Sequence, residues 1–322
     1  MEKYYSVAIR PRLDVGDRFY NHQDFLFQEI KLNSKGKYWI ADPFIFEKDE
    51  EVYIFYELLN LISGVGKIAY STIDKNGNVT DPYIVIHERG HFSFPYIFEH
   101  NGEIYIMPET CGRNAAYCYR AVNFPNKWVK ERALIQNEFV VDSIFLDERD
   151  ISRIIGSVQY RNPPEGRVIS CWVKNVLFEQ KDSGQTQQVI QEGEYGIRNA
   201  GKIFLDSEGK RIRPGQDCSG GVYGKGLVFW QLDDDFHETE IYHIDADAMQ
   251  SHIRFMGEKK IVGTHTYNAS AHYEIIDFSY YDDIVLSTRI NRAIYRWTHA
   301  CYGIAKKIAK KCLKVVCSLL KN

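Results

Sequence analysis

The sequence is poor in the features that mark secreted, metal-stapled or membrane-spanning chains. Its seven cysteines are odd in number and form no CxxC pair, which fits reduced thiols better than a disulfide frame or a zinc site. No run approaches the roughly 18–20 apolar residues of a membrane-spanning helix. The opening Met1-Glu2-Lys3-Tyr4-Tyr5 carries mixed charge and no apolar segment, so a secretory signal is not expected and a cytoplasmic location is. The most informative scarcity is local. Of 40 basic and 43 acidic residues, nine basic and no acidic ones lie after residue 283, so a net charge of −3 divides into −12 on residues 1–283 and +9 on residues 284–322.

What is abundant points to strands. Aromatic residues make up 14% of the chain, with 22 Tyr and 18 Phe, and 44% hydrophobic content excludes a disordered polymer. Residues 42–57 and 94–109 follow one template: an apolar strand, a polar turn (Lys48-Asp49-Glu50; His100-Asn101-Gly102), and an aromatic strand ending in Glu57 or Glu109. Weaker copies begin at Asp142, Ala200 and Gly263. With Phe46, Phe98, Phe145, Phe204 and Tyr267 equivalent, the steps are 52, 47, 59 and 63 residues, the period of a four-stranded propeller blade. The expected fold is all-β, a five-bladed β-propeller over residues 1–283. The fifth copy shows only inner strands, so the segments around Tyr5–Arg10 and Phe25–Lys31 are expected to close that blade.

In such a blade the first strand starts, and the second ends, at one face. One ring there comprises Asp42, His91 with Ser93, Asp142, Arg198 with Asn199, and His265. A second comprises Glu57, Glu109, Gln159, Gln216 with Asp217, and Asp277. Acids, amides and histidines beside Trp39, Tyr38, Phe92 and Tyr195 suit a polyhydroxylated ligand, so a sugar is expected at this mouth. Core packing is the alternative for His91 and His265, as is an ion pair with Asp142 or Glu109 for Arg198. The glycine-rich run 219–226 lacks Walker spacing and reads as a turn, and Asp233-Asp234-Asp235 lacks the rest of a calcium loop.

The run Ala41-Asp42-Pro43-Phe44 after Trp39 resembles the five-bladed propeller glycosidases of the arabinanase and β-xylosidase type. His91-Phe92-Ser93-Phe94-Pro95, Pro108-Glu109-Thr110, Asn123-Phe124-Pro125-Asn126-Lys127-Trp128, Arg198-Asn199-Ala200-Gly201 and Gly215-Gln216-Asp217-Cys218 resemble, more closely, the propeller domain N-terminal to the glucosamine inositolphosphorylceramide transferases. That resemblance implies a role in surface-polysaccharide or glycolipid synthesis, although the glycosyltransferase domain of those enzymes has no counterpart in these residues. Likeness to the glycosidases implies a general base at Asp42 and an orienting residue at Asp142. Where they place a glutamate acid, this chain has Arg198, which cannot donate a proton near neutral pH.

An arginine suits a leaving group that is already acidic. The expected chemistry is therefore glycosyl transfer from a phosphate-activated donor, such as a nucleotide sugar, to a glycan or lipid-linked acceptor. Asp42 or Glu109 would act as base, with Asp142 in support, and Arg198, His91 and His265 would bind the leaving phosphate. Glu57, Asn199, Gln216, Asp217 and Trp39 are expected to bind substrate. Glycoside hydrolysis and non-catalytic glycan binding remain alternatives. No cofactor is required, and the one cation the ring could hold is a divalent ion near His265.

The tail has its own pattern. Ile290, Ile294, Trp297, Cys301, Ile304, Ile308, Val315 and Leu319 recur at helical spacing, and the basic residues fall largely off that face. An amphipathic helix over residues 289–320, lying on an anionic membrane at the inner face of the cytoplasmic membrane, is expected. The alternative is a helix packed on the propeller wall. The acidic body argues against nucleic acid.

Overall fold

A computed structural model describes the chain apart from residues 15, 22–25, 32–35, 75–76, 111, 256–258 and 320–322, and apart from the side chains of residues 303–305 and 307–319. The expected strand residue Phe25 and the side chains of Ile304, Ile308, Val315 and Leu319 thus lie outside the described part. Alternating aromatic and β-branched strands form five sheets, antiparallel except for one outer strand, as a five-bladed propeller. Blade 1 runs through Tyr38–Lys48, Glu51–Asn60, Val65–Ile73 and Tyr83–Ile84. Blade 2 comprises Ser93–His100, Glu103–Glu109, Ala115–Asn123 and Lys127–Gln136, and blade 3 Val140–Asp147, Asp150–Gln159, Val173–Lys181 and Gly184–Gly193. In blade 4 a broken inner strand, Tyr195–Asn199 and Phe204–Leu205, precedes Arg211–Asp217, Gly226–Leu232 and Glu238–Asp245.

Blade 5 is built from both ends of the sequence. Its inner pieces Ile261–Gly263 and Tyr267–Ala269 pair with Tyr273–Asp282, against which Glu2–Pro11 lies antiparallel in continuous register from Glu2↔Asp282 to Pro11↔Tyr273. Phe27–Ile30 forms the next strand, and its outer edge is covered by Ile253–Arg254, a parallel partner with no counterpart in the sequence repeat. A short helix, Ala246–His252, capped by Asp245, carries the chain there.

Aromatic side chains fill the spaces between blades. Phe44 meets Phe94 edge-on at 4.9 Å and Tyr96 meets Phe145 at 5.3 Å, so successive inner strands are locked by rings. The closure of blade 5 carries a buried ionic knot as well. Arg10, fully buried, bonds Glu274 and reaches Asp17 at 2.9 Å, while Glu274 also accepts the Phe19 amide at 3.2 Å and the Tyr267 hydroxyl. Glu274→Ala removes the shared acceptor of all three donors in a dry interior and leaves Arg10 to Asp17. Urea unfolding of that variant is expected to show a loss of about 3–5 kcal/mol, whereas a value under 1 kcal/mol would mean that the knot is dispensable.

Candidate functional site

Blades 1, 2 and 3 share a backbone device at the mouth. Register slips between Ala41 and Phe44, Ser93 and Tyr96, and Val141 and Ile144 bulge each inner strand, and Asp42, Phe94 and Asp142 take the left-handed conformation at φ 51°, 46° and 44°. Non-glycine residues adopt it at a cost of about 1–3 kcal/mol, so neighbouring groups must hold them there. They do. The Asp42 amide donates to Asp277 Oδ2 at 3.2 Å, and the Phe94 amide donates to Asp42 Oδ2 at 3.1 Å, which links blade 5 to blade 1 and blade 1 to blade 2. The bulges bring Asp42 against Thr266 and His265 and Asp142 against Arg198, whereas Phe94 packs on Phe44.

Around the axis the first group is Asp42, His265 and Asp277. His265 Nδ1 lies 2.7 Å from Asp277 Oδ2 and its Nε2 lies 3.3 Å from Asp42 Oδ1, which also accepts the Thr266 hydroxyl at 2.9 Å. Asp277 Oδ1 takes the amides of His265 and Thr266 at 2.9 and 3.0 Å. Burial raises the Asp42 carboxyl to about 6 against the pull of His265. Burial disfavours the His265 imidazolium, but the Asp277 charge and hydrogen bond outweigh it and raise its pKa. Asp277 goes the other way: despite burial, His265 and the amides hold it below the usual carboxylate range. The three residues' ligand atoms lie within 4.8 Å of one another, close enough to share a cation, although the imidazole already occupies the space between the two carboxylates.

The second group centres on Arg198. Its Nε donates to Asp142 Oδ2, one terminal nitrogen donates to Ser170 O at 3.2 Å, and the other reaches Glu109 Oε2 at 3.4 Å. Its guanidinium lies 5.1 Å from the Tyr223 ring centre. Burial, then the Asp142 charge, push the Glu109 carboxyl well above its ordinary range. Glu57, also raised by burial and by Asp42, faces His91 Nε2 at 3.2 Å, and His91 Nδ1 accepts the Gly66 amide at 3.1 Å, which fixes the tautomer. Burial lowers the His91 pKa, so that ring is neutral near pH 7.

The structure brings Asp42, Glu57, Glu109, Asp142, His91, Arg198 and His265 together and gives the amides other tasks. Asn199 and Gln216 are fully buried: Asn199 Nδ2 clips Asp142 O and Ile155 O at 2.8 and 3.1 Å, and Gln216 Nε2 bonds Asp142 Oδ2 and Asn199 O at 3.0 and 2.8 Å. Asp217 stands apart, taking the Ser219 amide at 2.9 Å and facing His243 at 3.1 Å. In blade 3 the residue opposite the bulge is Ser157, not Gln159. Trp39, half-buried, tilts against Tyr5 at 5.0 Å.

Several participants escape the repeat. Tyr5 and Tyr223 flank the His265 ring at 4.9 and 5.3 Å, and Lys3 Nζ holds Tyr223 O at 3.1 Å, so the acids lie beneath an aromatic cover. The N-terminal strand's alternation could have placed Tyr5; nothing local distinguishes Tyr223 within its glycine-rich turn. Cys171 and Cys218, both fully buried, share a thiol hydrogen bond that lowers Cys171 to about 7. The opposite end of the propeller opens into a cavity of about 1100 Å³ lined by all five blades, including Phe46, Phe98, Glu148, Lys202 and Ala269.

The comparisons with known proteins agree on the fold. Residues 28–268, three quarters of the chain, match the family described as glucosamine inositolphosphorylceramide transferase 1, N-terminal. The chain belongs to that family. The glucosamine inositolphosphorylceramide transferase 1 of Arabidopsis thaliana is 31% identical over 63% of this chain and 27% of its own length, and that of Oryza sativa subsp. japonica 28% over 61% and 26%. The chain therefore spans about a quarter of the length of the curated relatives it matches. Among solved structures, a GH62 hydrolase in complex with xylotriose superposes with a TM-score of 0.52 at 11% identity, covering 84% of this chain and 97% of the other. A Bombyx mori GH32 β-fructofuranosidase gives 0.52 at 13%, covering 80% and 61%. These likenesses are of fold.

The sign of the His265 shift predicts a pH effect. A raised pKa contributes stability that is complete below the unfolded value of 6.5 and lost as pH rises through the folded value. The melting temperature of the wild type is expected to fall more steeply as pH rises above 6.5 than that of His265→Gln; parallel curves would show that the imidazolium is not held by Asp277 and Asp42.

Proposed function

We propose that the mouth handles a sugar and that the chain takes part in glycosyl transfer from a phosphate-activated donor to a glycan or lipid-linked acceptor. The observation that carries this reading is Asp42. Its carboxyl, brought to about 6 by burial, is largely ionised near neutral pH and still basic enough to take a proton from an acceptor hydroxyl, and Thr266 and His265 fix its orientation. In this reading Glu109, raised by burial, stays protonated and supports Asp142, while His91 and Arg198 offer N–H donors to the departing phosphate. Trp39 and Tyr5 provide a stacking surface, and a cation near His265 is not required. Family membership among named transferases supports transfer over hydrolysis.

A second reading is favoured by the partners that Arg198 already holds. With Asp142, Glu109 and Ser170 O on its three nitrogens, the guanidinium resembles a girder more than a ligand clamp, which suits a glycan-binding domain without chemistry of its own. The two readings part on turnover. Purified protein with a panel of nucleotide sugars and acceptors is expected to release nucleoside diphosphate, and Asp42→Asn to slow that release by about 10²–10⁴-fold while nucleotide-sugar binding persists. Binding without release by the wild type would establish the binding module. Hydrolysis of a neutral aryl glycoside with no nucleotide sugar consumed would overturn both.

The basic tail completes the reading. Residues 289–320 bring the chain to an anionic membrane surface, at the inner face of the cytoplasmic membrane, where lipid-linked acceptors reside. Among the described residues no helix is long and apolar enough to span a bilayer, so contact would be peripheral.

A further inference from the structure

The C-terminal helix, Leu286–Leu319, measures about 51 Å for its 34 residues, and its root has a defined place on the propeller. The Thr288 hydroxyl donates to Gly36 O at 2.9 Å, just ahead of the first strand of blade 1, and Arg292 Nε donates to Leu61 O at 2.7 Å, just past the end of the second strand. Arg292 also pairs with Glu2, at the start of the strand that carries Lys3 and Tyr5 over the axial acids. First strands begin and second strands end at the mouth, so the helix springs from the mouth's rim, beside Tyr5 and Trp39.

From that root the helix leaves the body. Ile290, Ile294 and Trp297 are 51%, 55% and 69% exposed, and with Cys301, also exposed, their spacing of four, three and four residues makes one apolar stripe. The wall-packed alternative fails for these residues. Beside the stripe, Arg289, Arg292 and Arg296 line a hollow of about 300 Å³ together with Met1 and Glu2. Arg289 and Arg292 have carboxylate partners in Asp283 and Glu2, and Arg296 has none among the described residues. No acidic side chain follows Asp283. An apolar stripe flanked only by cations is complementary to an anionic lipid surface. A second copy of the helix would bring eight positive charges against eight, and nucleic acid would leave Trp297 and the isoleucines in water.

Resting on the sugar-handling reading of the mouth, we infer that the helix and the mouth share one membrane-facing side, so that a chain bound to an anionic bilayer presents its mouth to the headgroups and takes a saccharide carried on a lipid phosphate. The geometry makes the lipid surface part of the site. A soluble glycan would have to enter between protein and bilayer, whereas a headgroup-linked sugar already lies there.

Hydrogen exchange of the full chain with and without phosphatidylcholine–phosphatidylglycerol vesicles tests the orientation. Vesicles are expected to protect residues 286–302 and the mouth loops 161–171 and 219–225, and to leave the opposite turns 48–51 and 147–150 unchanged. Protection of those opposite turns, protection of the helix alone, or no vesicle binding would each overturn the inference. Trp297→Glu, at an exposed position, is expected to abolish binding with an unchanged melting curve, and Arg296→Glu to weaken it roughly tenfold. Nucleotide-sugar binding measured without vesicles separates the two claims: its loss defeats the sugar reading, and the exchange pattern alone decides the orientation.

Discussion

The mouth depends on one linkage, in which a carboxylate of one blade captures the backbone amide of the next. Asp277 holds the Asp42 amide, and Asp42 holds the Phe94 amide, each at the first residue of a left-handed bulge. Without the acceptor each left-handed residue would lose the hydrogen bond that offsets its backbone strain. The same carboxylates therefore set backbone shape, blade-to-blade spacing and the direction of the functional groups. A group that candidates for proton transfer is also a structural tie, which limits how far substitution there can separate the two roles.

Placing Asp42, Glu57, Glu109, Asp142 and Asp277 in one buried space creates an electrostatic demand that Arg198 and His265 meet only in part. The remainder is met by protonation. Asp277 keeps its charge because four donors converge on it, whereas Glu57 and Glu109, with fewer, are pushed upward by burial and by their neighbours' charge. Environment thus sorts chemically similar carboxyls into different protonation states. That sorting is what acid–base chemistry requires, and it arises from the same packing that closes the ring.

The blade count was legible because the repeat combines a period of 47–63 residues with fixed polar positions, and hairpins such as 42–57 contain their own turns. The mouth acids were legible as ring members for the same reason. Much of the rest depended on long-range register. Whether Gln159 or Ser157 faces Val141 turns on a single bulge, and the parallel strand Ile253–Arg254 follows no repeat at all. Asn199 and Gln216 look like ligand-binding amides in sequence, and only the structure reveals that their side-chain NH2 groups tie blade 4 to Asp142 of blade 3. Tyr223 reaches the site through a turn whose composition says only that the chain reverses.

Closing the ring with residues 2–11 against residues 273–282 also fixes when the protein can finish folding. Four blades consist of contiguous sequence and can form as synthesis proceeds, but the strand Glu2–Pro11 waits for Tyr273–Asp282, which follows all four of them. Until then its edge, with Val7, Ala8 and Ile9 destined for the core, is open to strangers. The nascent chain thus passes through a long interval as an incomplete ring, and conditions that slow elongation, or a truncation before residue 282, leave an aggregation-prone edge in place of a merely shorter propeller.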